Sequence, residues 1–107
     1  MPTRKLGDLA QIVRSKNAKP FRLTFDVIFD DPAVYERVKA ARVLTREGIA
    51  GLYGVTPDEI ISLHEFDPGL AIKFTLRRRI PQGAPGDSDI YGCQQHAPLL
   101  EVEVPWT

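Results

Sequence analysis

Phe21-Arg22-Leu23-Thr24-Phe25-Asp26-Val27-Ile28-Phe29-Asp30 alternates large apolar residues with mostly polar ones. A period of two sets Phe21, Leu23, Phe25, Val27 and Phe29 on one face of an extended strand. Arg22, Thr24, Asp26, Ile28 and Asp30 take the other face. That is the pattern of a sheet covered on one side only. Asp31-Pro32 follows at once: a carboxylate N-cap, then proline at the first helical position. The strand therefore runs into a helix, with Val34, Val38 and Ala41 as its buried stripe.

Upstream, Leu6, Leu9, Ile12 and Val13 recur at helical spacing, which predicts a helix over Leu6 to Arg14. Ser15-Lys16-Asn17-Ala18 then closes it, with Asn17 as a left-handed stop and Pro20 preventing continuation. Downstream, Thr45 caps a second helix that buries Ile49, Leu52 and Tyr53 and stops at Gly54. Thr56-Pro57-Asp58-Glu59 has the form of a capping box, yet Ile60 to Phe66 reads as a strand. Asp67-Pro68-Gly69 is a turn in which glycine takes the positive φ. The return strand is Leu70 to Arg78, with Ile72, Phe74 and Leu76 inward. Ile80 to Pro98 shows neither period. Leu99 to Val104 alternates again as a last strand, with Leu100, Val102 and Val104 on one side.

The expected architecture is one α+β domain over residues 1–107, a two-layer sandwich with helices on one face of a roughly four-stranded, mainly antiparallel sheet. The nearest common arrangement is the ferredoxin-like split βαβ. The long polar loop at 83–98 would stand in for its second crossover helix.

Composition narrows the function. Fourteen Lys and Arg balance fourteen Asp and Glu. That removes the overall electrostatic case for nucleic-acid binding, although a local basic patch stays open. Near-zero charge also gives little self-repulsion, so a homo-oligomer or a partner is expected. Cys93 is the single cysteine, so no internal disulfide can form. With no apolar run long enough to span a membrane and no apolar leader, the expected home is the cytoplasm.

Side-chain chemistry is densest in Tyr91-Gly92-Cys93-Gln94-Gln95-His96. The imidazole of His96 can serve as acid, base or ligand, and the amides of Gln94 and Gln95 can fix a carboxylate or carbonyl. The plainer reading has the glutamines tying down irregular backbone. Gly83 to Gly92 has no phosphate-loop lysine, and Asp87 and Asp89 would repel phosphate. Cys93 and His96 lack a sequence-assignable orienting carboxylate, and Cys93 reads as a small packed residue. His64, His96, Asp26 and Asp30 show no metal-ligand spacing, so neither a metal nor a cofactor is expected. Asp26 stands on the polar sheet face, where Lys73 or Arg77 can pair with it, and Glu101 and Glu103 can join that pattern. Lys16 and Asn17 either cap the first helix or reach a ligand shared with Gln94, Gln95 and His96. Arg77-Arg78-Arg79 reads as a solvated strand end. The Pro105-Trp106-Thr107 end offers either an aromatic anchor or a free tail.

Five blocks in order carry a resemblance: Leu6-Gly7-Asp8-Leu9-Ala10, Arg14-Ser15-Lys16-Asn17-Ala18, Phe25 to Asp30, Phe66-Asp67-Pro68 with Leu70 to Lys73, and Tyr91-Gly92 with Gln94 to Leu99. Together they resemble a small bacterial domain family of unknown function, encoded beside or fused behind the acyclic terpene utilisation A-type (AtuA) proteins. The resemblance implies a ferredoxin-like accessory domain working with a larger AtuA-type partner in catabolism of organic acids or acyl-thioesters. It supplies no established catalytic residue, and it implies a small residue such as alanine at the position of Cys93. The expected role is thus a non-catalytic or co-catalytic subunit, with Lys16, Asn17, Asp26, Tyr91, Gln94, Gln95 and His96 as ligand or interface residues. An independent hydratase- or isomerase-type enzyme using His96, and a stand-alone ligand-binding module, are the alternatives.

Overall fold

The computed structural model describes residues 2–19, 22–77 and 97–106. Its strands are β1 (Thr3–Lys5), β2 (Ile12–Lys19), β3 (Arg22–Ile28), β4 (Ile60–Phe66), β5 (Ala71–Arg77) and β6 (Glu103–Pro105). Its helices are α1 (Leu6–Leu9), α2 (Pro32–Ala41), α3 (Arg46–Tyr53) and α4 (Ala97–Leu100). Two antiparallel sheets result: four strands in the order β2-β3-β5-β4, and the pair β1-β6. The expected α+β class and four-stranded antiparallel sheet stand, but one of the four strands is different from the one expected.

The helix expected over Leu6 to Arg14 is a single turn, Leu6–Leu9, closed where Ala10 N–H donates to Leu6 O at 3.0 Å. From Ile12 the chain is β2, paired with β3 from Ile12↔Ile28 to Lys19↔Arg22, with an irregularity between Asn17 and Lys19. Ser15 is buried while its neighbours Arg14 and Lys16 are exposed. That is a period of two, and the helical spacing of Leu6, Leu9, Ile12 and Val13 spans two unlike elements. Hence Lys16 and Asn17 lie in a strand and do not cap a helix.

The last strand is also corrected. Leu99 belongs to α4, and only Glu103–Pro105 is extended. It pairs with β1, Thr3 facing Pro105, and takes no place in the main sheet. Leu99 and Val104 are fully buried, whereas Leu100 and Val102 are half-buried. Leu6 N–H donates to Val102 O at 2.8 Å, tying α1 to this end of the chain.

Other elements match their local signals. Asp31 caps α2, its carboxylate accepting from Ala33 N–H at 2.9 Å. Thr45 Oγ1 caps α3 by accepting from Gly48 N–H at 3.1 Å, and Gly54 ends it at φ 67°. Leu52, expected inside, is exposed. In the Asp67–Gly69 turn, the left-handed residue is Leu70 at φ 50°, not Gly69. Gly69 lies close under the Phe66 ring: a Cβ there would stand 2.7 Å from it, so the exposed ring would have to move.

The core lies between the main sheet and α2 and α3. Phe25 stacks on Phe74 at 4.5 Å between centroids, and Tyr53 of α3 tilts against Phe25 at 5.2 Å. Stacked and tilted aromatic pairs add to the gain from area burial. Tyr35, missing from the expected α2 stripe, is buried beside Val38 and tilts against Phe29 at 5.8 Å. Trp106 is neither a free tail nor fully exposed. It is half-buried, with the Arg37 guanidinium 3.7 Å and that of Arg4 5.9 Å from its ring centre. No helix among the described residues is long and apolar enough to cross a membrane.

Candidate functional site: the polar face of the main sheet

Strand pairing fixes which residues share the face away from Phe25 and Phe74. One row runs Arg14, Asp26, Lys73, His64, and the next Lys16, Thr24, Thr75, Ser62. An apolar row, Ile12, Ile28, Ala71, Phe66, lies on one flank, and Arg22 opposite Arg77 on the other. On the opposite side α3 packs through Tyr53 onto Phe25 and Phe74.

Asp26 is the only carboxylate on this face among the described residues. Although it stands on the polar face, it is only 5% exposed. Its Oδ2 accepts from Arg14 Nε at 2.9 Å, and Lys73 Nζ stands 3.6 Å from Oδ1. So the expected pairing with Lys73 is present, and Arg14 is a stronger partner that helical periodicity had hidden. Asp26 Oδ1 has no hydrogen-bond donor among the described residues. Glu101 and Glu103 do not join this pattern. Glu101 pairs with Lys5 at 2.8 Å, and Glu103 accepts from Thr3 in the small sheet.

Charge on this face is one-sided. Arg14, Lys16, Arg22, Lys73 and Arg77 are exposed cations against the single carboxylate of Asp26. Arg22 and Arg77 stand directly opposite one another, and like charges in that position repel. Neither they nor Lys16 has an ion-pair partner among the described residues. Thr24 and Thr75 place their hydroxyls 3.4 Å apart between these cations. Phe66, Ile12 and Ile61 remain exposed at 53%, 40% and 38%. Neutral overall composition thus hides a strongly cationic surface edged with apolar side chains.

Of the residues expected at the site, the structure brings Lys16 and Asp26 to this face. Asn17 pairs with Leu23 in register. Tyr91, Gln94, Gln95 and His96 lie outside the described residues, as do Cys93, Arg78 and Arg79. Sequence reasoning missed Arg14 and Arg22 as site residues. Their signal was the parity of the β3 pattern combined with a strand at 12–19.

A second polar cluster joins α2 to the β4–β5 turn. Tyr35 OH donates to Asp67 Oδ1 at 2.6 Å, and Lys39 Nζ reaches the same oxygen at 3.0 Å. Burial, then the Asp67 hydrogen bond, pushes the Tyr35 phenol well above its usual range. The Tyr35 and Lys39 hydrogen bonds hold the Asp67 carboxyl below its ordinary value. Both groups are kept away from the neutral range, which suits a structural latch and not acid–base work. No group of three or more His, Cys, Asp or Glu among the described residues is placed to hold a metal.

Residues 6–103 match the model of a domain-of-unknown-function family, DUF4387. The chain belongs to that family. No curated protein and no solved structure matches it.

Proposed function

We propose that this chain is a single accessory domain, a non-catalytic or co-catalytic small subunit that docks on a larger partner through the polar face of its main sheet. The observation that carries this is the composition of that face: five cations, one buried carboxylate and an apolar row whose two ends, Ile12 and Phe66, are exposed. Apolar contacts supply affinity at a protein interface, and one-signed charge supplies steering and orientation. The fitting partner surface is acidic. Interleaved aromatics for stacking bases are absent from the cationic rows, which disfavours single-stranded nucleic acid. A second copy would set cations against cations.

The partner we favour is the AtuA-type protein implied by the sequence resemblance, in a cytoplasmic pathway degrading organic acids or acyl-thioesters. The segment holding Gln94, Gln95 and His96 would then contribute to a shared site. For the fold, β3 and β4 run parallel with β5 between them and are linked through α2 and α3. We read this as the split crossover of a ferredoxin-like sandwich, with β2 added beside β3.

The test is association of the purified chain with an AtuA-type protein, followed by size-exclusion chromatography at low and high salt. Association that weakens with salt, and that Lys16→Glu with Phe66→Ser abolishes without lowering Tm, supports the reading. If both proteins elute separately at every salt concentration, the subunit assignment is wrong.

A further inference from the structure

A cleft of about 420 Å³ lies between α2, α3 and the β4–β5 hairpin, on the helical side of the sheet. Its floor is apolar: Val38 and Ile72 are buried, and Leu44 and Leu63 are half-buried. Thr45 and five charged side chains, Lys39, Arg42, Arg46, Glu47 and Glu65, make the rest of its lining. Lys39 is already neutralised, with Asp67 at 3.0 Å and Glu36 at 3.4 Å. The other four are not. Arg42, Arg46, Glu47 and Glu65 form no ion pair among the described residues, although all four line one small volume. Arg46 is held in place because its Nη1 donates to the backbone carbonyl of Ile60.

Arg42 adds an independent observation. It ends α2 in the left-handed conformation at φ 56° and ψ 36°, a position at which glycine is the usual residue. An arginine there carries a backbone cost that glycine would avoid. Here the side chain lines the cleft.

We propose that this cleft binds a small zwitterion with an aliphatic tail, the chemistry of a free branched-chain amino acid. The tail rests on Val38, Leu44, Leu63 and Ile72. Its carboxylate meets Arg42 and Arg46, and its ammonium meets Glu47 and Glu65. A ligand carrying both charges bridges groups that the protein leaves separate. The volume lies in the range of small-molecule sites. This reading is independent of partner docking, because the cleft opens on the other side of the sheet.

The experiment compares leucine, 4-methylpentanoate and 3-methylbutylamine, which share a branched aliphatic tail and differ in charge. Binding to the full chain is followed through the methyl NMR signals of Val38, Leu44, Leu63 and Ile72. Leucine is expected to shift these signals and to bind about tenfold or more tighter than either singly charged analogue. Arg42→Gly is expected to keep or raise Tm while weakening leucine binding by about tenfold. Glu65→Gln is expected to weaken leucine binding and to leave 4-methylpentanoate unchanged or tighter. The proposal is overturned if 4-methylpentanoate binds as tightly as leucine, if Arg42→Gly binds leucine like the parent, or if none of the three probes moves the methyl signals.

Discussion

The Tyr35 phenol donates to Asp67 Oδ1 at 2.6 Å and so fastens the buried face of α2 to the turn between β4 and β5. Lys39, one helical turn on, reaches the same oxygen and lies 4.8 Å from the Tyr35 ring centre. One carboxylate oxygen thus holds two side chains of one helix.

Tyr35→Phe removes the bond and keeps the ring. The expected loss is about 1 kcal/mol, below the usual range for a charged acceptor because Asp67 is largely exposed. Urea unfolding measures it. The pH dependence has a definite sign. Asp67 has a lowered folded pKa, so its contribution is present above the ordinary carboxylate range and is lost as pH falls through that range. Tyr35 and Lys39 have raised folded values, so their contributions are full below about pH 10 and decline as pH rises further. The stability of Tyr35→Phe should therefore fall less steeply with acid than that of the parent. An identical acid slope would show that Asp67 is not coupled to Tyr35.

Asp26 predicts a coupling between strands. Both of its cations are about half exposed, so each alone is worth little, but the carboxylate itself is buried. Arg14→Met or Lys73→Met alone should cost at most about 1 kcal/mol, because the other cation remains. Removing both leaves a buried carboxylate unpaired and should cost more than the two single losses added. A double-mutant cycle in urea reads this directly, and strict additivity would contradict it.

Trp106 is the single tryptophan, so its emission reports on one place. Arg37 reaches it from α2, and Trp106 N–H donates to Pro2 O at 3.0 Å. Arg37→Ala should move the emission to longer wavelength and cost about 1 kcal/mol, the value of a partly desolvated cation–π contact. Unchanged emission would mean that the guanidinium does not shield the ring in solution.

Thr45 caps a helix of only eight residues, for which local stabilisation counts heavily. Thr45→Ala should cost about 1 kcal/mol and Thr45→Asp much less. Equal losses from both would argue that Thr45 matters through packing and not through its oxygen.

Signals contained in a few neighbouring residues were legible in the sequence. The alternation of Leu23 to Phe29, the Asp31-Pro32 cap, the Thr45 cap and the Gly54 stop each state a local backbone preference. What was not legible depends on partners far along the chain. Residues 12–19 became a strand because β3 offered hydrogen bonds to pair with, while Leu6, Leu9, Ile12 and Val13 matched a helix by coincidence of spacing. With β2 misread, Arg14 could not be placed beside Asp26, and the cationic face stayed hidden within a neutral composition. Val104 likewise alternates as a strand should, but nothing local says that Thr3–Lys5 is its mate.

That last pairing reaches beyond stability. Thr3 lies opposite Pro105 and Pro2 touches Trp106, so the described chain leaves and returns at one place, like a loop of thread drawn through a single eyelet. A domain wired this way can be spliced into an exposed loop of another protein without pulling its host apart. A short peptide bridging the two ends should also close it into a ring, leaving new termini free to be opened elsewhere on its surface.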